Sequence, residues 1–211
     1  MINTRKLLTK HKAEEVAQYL SQFDAITRLV MTAKFSLAWF SEKVFRTPDG
    51  SPLRLFPFQQ AILEMLWHKK FPMVIMSRGA GKSWIIALYS LLKAMLCPGS
   101  KIIISGGGFR QAKVVFKYIE AFYNYSPILQ KALSAYGKPT YASDNAYLNV
   151  GSSTITAIPI GDGEKIRGMR ATVLVVDEMA SVPEDIFETV LTPFTAVNIN
   201  PRLSNAVSNI T

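Results

Sequence analysis

The sequence predicts an α/β fold, a mostly parallel sheet flanked by helices, with a helical annex at the N-terminus. Two observations carry that prediction. Short apolar runs, "MVIMS" from 73, "KIIIS" from 101, "STITAIPI" from 153 and "TVLVV" from 172, alternate with helix-length stretches after Gly81 and from about Phe109. Three of the runs are nearly all apolar, as strands buried on both faces of a parallel sheet must be.

The elements follow in order. Residues 5 to 45 place Val16, Leu20, Phe23, Ile26, Leu29 and Val30 at mixed three and four spacing, which predicts two helices broken near Asp24. "RTPDGSP", Arg46 to Pro52, gathers turn formers and ends the annex, so the expected division is 1–50 for the annex and 51–211 for the sheet domain. No internal repeat or low-complexity tract is evident. With 211 residues, 49% of them hydrophobic and 18% charged, the chain can bury a sizeable core. The net charge of +9 favours polyanionic partners. Cys97 is the single cysteine and permits no intrachain disulfide, while His11 and His68 are too far apart for a local ligand pair; a reducing compartment fits and zinc does not. No stretch approaches the roughly 20 apolar residues of a membrane span, so no membrane partner is expected.

In "SRGAGKS", residues 77 to 83, a predicted buried strand feeds a tight turn and then a helix. Gly79 and Gly81 let backbone N–H groups point inward, and the helix offers its positive end, an arrangement that binds phosphate. Lys82 is placed to reach outer phosphates as a point charge, and Ser83 to offer a hydroxyl to Mg²⁺. The general pattern G-x-x-x-x-G-K-[ST] asks for glycine at 76, where this chain has Met76, followed by Ser77 and Arg78. The second half of the site is "TVLVVDEMA", in which four apolar residues deliver Asp177 to the C-terminal edge of the sheet. There a carboxylate can hold the Mg²⁺ shell, and Glu178 beside it can polarise an attacking water. The alternative is that both acids only start a helix, whose first turn favours negative charge.

These residues resemble the ATPase domain of the large terminase subunit, the DNA-packaging motor of tailed bacteriophages. That family's phosphate loop reads S-R-x-x-G-K-[ST] without the first glycine, and "SRGAGKS" is similar to it where the general pattern fails. "LFPFQQAIL" resembles the family's adenine-side motif, with Gln59 at the glutamine and Gln60 the neighbouring candidate; "IRGMRATVLVVDE" resembles the segment that carries its arginine and acidic pair. The similarity spans roughly 53 to 195. It implies a P-loop NTPase of the additional-strand catalytic-glutamate type, with ATP and Mg²⁺ as cofactors. The phosphate loop would be Ser77, Arg78, Gly79, Ala80, Gly81, Lys82 and Ser83; Ser83 and Asp177 would hold the metal and Glu178 would activate water. Arg167 would be an arginine finger, with Arg78 the competing candidate and a surface salt bridge the plain alternative for Arg167. The resemblance further implies double-stranded DNA as partner, self-association into a ring, a portal protein and small terminase subunit, and residence in the host cytoplasm.

Between Met65 and Ile119 there is no Asp or Glu, while nine residues, Lys93 among them, are Lys or Arg, so that half of the sheet is expected to be electropositive. Arg110, Lys113 and Lys117 recur at i, i+3 and i+7, one helix face suited either to a phosphate backbone or simply to water. After Glu188 there is no acid, so the nuclease carboxylates of large terminases are not expected, and the ATPase domain is expected to be incomplete at its C-terminal end. Two other readings remain: a helicase-like DNA-dependent ATPase, since "VVDEMA" is similar to helicase D-E-x-x segments, and a nucleotide-gated assembly protein with little turnover.

Overall fold

Helix formation follows the caps and the apolar spacing. The computed structural model describes residues 36–106, 109–159, 169–182 and 184–186, with positions 18, 21, 30 and 33 singly. Helix α1 (Leu37–Val44) starts where the Ser36 hydroxyl accepts the Trp39 N–H at 3.1 Å, satisfying a donor the helix itself leaves open. Helix α2 (Pro57–His68) opens on proline, which is preorganised for a first turn, and the Gln59 side chain accepts the Phe56 N–H at 3.0 Å. Helix α3 (Lys82–Leu96) is buried along most of its length, with Leu88, Leu91 and Leu92 wholly inaccessible. It is the axis of the core, and Leu88→Ala there costs about 2–5 kcal/mol. Helix α4 (Phe109–Tyr125) buries Ala112, Val115, Phe116, Ile119 and Phe122 on one face, and α5 (Pro127–Leu133) follows at once. The main core unites Leu37, Phe40 and Val44 of α1 with α2 to α5 and the Ile102 and Ile104 face of the sheet. The described part of the annex therefore shares that core. The two helices expected around Asp24 lie outside the described residues.

Among the described residues five strands form one sheet: β1 (Lys101–Gly106), β2 (Thr140–Tyr141), β3 (Ala146–Val150), β4 (Ser153–Pro159) and β5 (Val173–Asp177), in the order β2-β3-β4-β1-β5. Strand β1 pairs parallel with β4 and with β5, while β2-β3 and β3-β4 are antiparallel. The expectation of a mostly parallel sheet is thus corrected to a mixed one. The reason is local: Val150 pairs with Ser153, so the two residues between them close a hairpin, with Gly151 at φ 60°, and a two-residue connection can join only antiparallel neighbours. Alternation in β3, with Ala146, Leu148 and Val150 buried between exposed neighbours, is what such a strand requires.

The expected strand "MVIMS" is a second correction. Residues 72–77 belong to no helix and enter no ladder, and Met73 and Ile75 are exposed, Ile75 by 90%. A strand exists only where a neighbour takes its N–H and C=O groups, and β5, the last strand of the described sheet, is paired with β1 alone. The expected runs at 101, 153 and 172 do pair, and the expected helices after Gly81 and from Phe109 are α3 and α4.

Candidate functional site

Register places the site. Thr172 N–H donates to the Lys101 carbonyl at 2.8 Å and Lys101 N–H donates to Thr172 Oγ1 at 2.9 Å, which pins β5 against β1 and pairs Gly106 with Asp177 at their C-terminal ends. Along β5, Val173 and Val175 face the main core and Leu174 and Val176 the smaller cluster behind the sheet. Asp177 shares parity with the first pair, so it points to the helix side. A slip of one residue would send its carboxylate to the other face.

The partner arrives from the start of α3. Gly79 and Gly81 adopt φ values of 82° and 85°, the left-handed region that a side chain resists, and Gly81 is the residue from which α3 begins. Lys82 follows in the first turn, its Nζ 2.7 Å from Asp177 Oδ1. Asp177 is 5% exposed, whereas the Lys82 side chain keeps a third of its surface in water. The same Oδ1 accepts the Glu178 N–H at 3.0 Å. Glu178 is exposed and left-handed, with φ 57° and ψ 47°, the one described non-glycine residue at positive φ, and a short 3₁₀ turn (Met179–Ser181) follows. A residue so placed carries strain of order 1–3 kcal/mol, of the kind found at functional turns.

The predicted residues thus divide. Lys82, Asp177 and the Glu178 backbone come together, and Ser83 lies half-buried beside Lys82. Gln59 adjoins them, because a Cβ at Gly81 would stand 3.9 Å from its Nε2. Gln60 instead donates to the Leu55 carbonyl at 2.9 Å, within its own helix start. Ser77 accepts the Ala80 N–H through its carbonyl at 3.3 Å, and Arg78 is exposed on the turn. Arg167 lies outside the described residues. On α4, Arg110 and Lys117 are exposed and Lys113 half-buried. One member of the basic run is corrected: Lys93 is 9% exposed and rests 4.4 Å from the centre of the Trp67 ring, so it adds nothing to a charged surface. The double contact on Asp177 Oδ1 was not read from the sequence; its only trace there is an acid closing an apolar strand.

The donor set suits a small hard cation. Asp177 and Ser83 offer oxygen, and among the described residues no group of three His, Cys, Asp or Glu could cage a metal. Mg²⁺ commonly takes one or two carboxylates together with substrate phosphates, so the residues fit it. Among the described residues no helix is long and apolar enough to cross a membrane.

Among solved structures, the chain is similar to the large terminase ATPase domain of Thermus phage P74-26, at 17% identity and TM-score 0.45 over 56% of this chain and 51% of that one. It is also similar to the large terminase of a thermophilic bacteriophage, at 19% identity and TM-score 0.45 over 69% of this chain and 36% of that one. The same phage protein in complex with ATP-gamma-S matches at 18% identity and TM-score 0.42, over the same shares. The chain thus spans about half of the first and about a third of the others. No curated protein matches. A family model described as the terminase large subunit, T4likevirus-type, N-terminal, matches residues 73–197, more than half of the chain and the whole of the Lys82–Asp177 edge. The chain belongs to the terminase large subunit family.

Proposed function

We propose that this chain is the ATPase domain of a viral DNA-packaging terminase, which hydrolyses ATP to translocate double-stranded DNA into a procapsid. The observation that carries the reading is the meeting of Lys82 with Asp177 and the Glu178 backbone at one edge of the sheet. Residues 77–83 serve as the phosphate loop: the backbone N–H groups around Gly79 and Gly81 line the phosphates, and Lys82 neutralises the outer ones. Asp177 and Ser83 hold Mg²⁺, which when bound supplies Lewis-acid stabilisation of the charge that develops on the phosphates. Glu178 orients and polarises the attacking water. Gln59, beside Gly81, is assigned to the adenine side, with Gln60 the neighbouring candidate. Arg78 or Arg167 supplies positive charge to the γ-phosphate, a contribution of roughly 10³–10⁵ in rate in related NTPases.

The fold type we assign is the additional-strand catalytic-glutamate class. It is supported by the acid pair at the end of β5, where Asp177 meets Lys82 and Glu178 follows it directly. Translocation implies a ring of subunits and phosphate-backbone contacts to the duplex, for which Arg110, Lys113 and Lys117 on α4 are the candidates. A portal protein and a small terminase subunit complete the expected assembly, in the host cytoplasm.

Glu178→Gln tests the catalytic assignment. ATP binding is expected to persist while turnover falls ~10²–10⁴-fold. Undiminished phosphate release by the variant, measured with duplex DNA present, would remove Glu178 from the mechanism. An unwinding assay on the same preparation separates this reading from a helicase, because a packaging motor moves along duplex without opening it.

A further inference from the structure

Helix α4 carries two exposed stripes side by side. At roughly 100° per residue, Arg110, Lys113 and Lys117 fall within about 60° of the helix surface and Val114, Tyr118 and Tyr125 within about 60° beside them, opposite the face buried in the core. Arg110 and Lys117 are exposed, and Tyr118 keeps 40% of its surface in water and Tyr125 43%. Seven residues separate Arg110 from Lys117 and Tyr118 from Tyr125, about 10 Å of rise in each case, so charge and ring repeat in step. The rings are also unengaged. Tyr141 donates its hydroxyl to Glu120, the one acid of α4, at 2.8 Å and sets its ring 5.3 Å from Phe116, whereas among the described residues no hydrogen bond or ring contact holds the side chain of Tyr118 or Tyr125. Acids are scarce along the stretch that carries α4: from Met65 to Pro159 there are only Glu120 and Asp144.

A partner for this face brings negative charge to one stripe and flat apolar surface to the other. An intact duplex brings phosphates but keeps its bases stacked inside. An acidic peptide brings carboxylates without a repeating flat face. An unpaired strand brings both, because each nucleotide carries a phosphate and a base whose π face stacks on a tyrosine. We propose that the outer face of α4 holds single-stranded DNA, with phosphates along Arg110 and Lys117 and bases on Tyr118 and Tyr125. The proposal rests on the reading of α4 as a DNA-facing helix and deepens it: the part of the DNA that α4 takes is an unpaired strand, as at a frayed end.

The test is fluorescence-anisotropy titration of the chain with labelled oligo(dT) of about 16 nucleotides, the upper range for one such platform, and with a duplex of the same length. Replacing both rings, Tyr118→Ala with Tyr125→Ala, is expected to weaken oligo(dT) binding at least ~tenfold and duplex binding less than ~threefold. Tyr118→Phe with Tyr125→Phe keeps the stacking faces and is expected to bind oligo(dT) like the wild type. In the unaltered chain, a bromodeoxyuridine-substituted strand is expected to photo-crosslink to α4, a readout that needs no variant to fold. Unchanged oligo(dT) binding by the alanine pair, crosslinks confined to other elements, oligo(U) binding more tightly than oligo(dT), or polyglutamate competing as well as oligo(dT) would each overturn the single-strand site. Duplex binding that persists beside any of these leaves the duplex reading of α4 standing. Absence of binding to either DNA would overturn both.

Discussion

The two ends of helix α3 each set a lysine against a partner, and they use it differently. At the first turn Lys82 meets a carboxylate 2.7 Å away; eleven residues on, Lys93 meets the face of Trp67 and is nearly buried. Tyr89 stands edge-on to the same indole at 6.3 Å, its hydroxyl pushed up to about 12 by burial and by the neighbouring Cys97. Burial also holds the Lys93 ammonium below the usual lysine range, and Cys97 counteracts this in part. A lysine paired with an acid at the mouth of a turn can exchange its partner for a ligand. A lysine laid on a ring between two helices has nothing to exchange, so the same residue type is site at one end and packing at the other.

Lys82→Met should break the comparison most severely. ATP turnover is expected to fall about 10²–10³-fold, the usual effect of losing one fixed positive group at the reacting centre. The variant should also be less stable without nucleotide. Breaking a buried pair costs about 3–5 kcal/mol, but Lys82 is one-third exposed and water recovers part of that, leaving about 1–2 kcal/mol by urea unfolding. Stability equal to wild type would mean the pair does not persist in solution.

Gly81→Ala comes next. Nothing blocks the new methyl, since the nearest atom is Gln59 Nε2 at 3.9 Å, so the cost is conformational: φ of 85° is disfavoured for alanine by about 1–2 kcal/mol. Chemical denaturation reads this directly, and weakened nucleotide binding at unchanged solubility is expected beside it.

Lys93→Met should be the mildest. The loss of a cation over Trp67, worth about 0.5–2 kcal/mol, is offset by no longer burying an ammonium, and the net should stay within about 1 kcal/mol. Its pH dependence sharpens the contrast. For a lysine whose folded value is depressed, the penalty is complete below that value and disappears as pH rises toward 10.5, the unfolded value. The wild type should therefore gain on Lys93→Met between neutral and alkaline pH, best measured in a Cys97→Ser background because the raised Cys97 thiol acts in the opposite sense. A flat difference across that range would show that Lys93 is solvated.

The acidic edge and the turn before α3 were legible because each needs a local pattern: glycines for left-handed φ, an apolar run ending in acid. The fate of the apolar runs was not. "MVIMS" and "TVLVV" read alike, yet only the second is in the sheet, since pairing depends on which chain lies alongside rather than on the run's own residues. Lys93 misled for a related reason. The absence of acids around it suggested open charge, whereas its position among Trp67, Tyr89 and Cys97 is a fact of packing between α2 and α3. The β3-β4 hairpin turned on Gly151, a single residue ahead of the run read from 153, and β3 itself was not read.

Trp84 follows Ser83 directly and leans on Phe122, ring centres 5.3 Å apart, half in and half out of water. An indole so seated is a built-in optical probe, one residue from the group proposed to hold the cation. With Trp39 and Trp67 replaced by phenylalanine, its emission colour would follow each filling and emptying of the first turn in real time, with no dye attached.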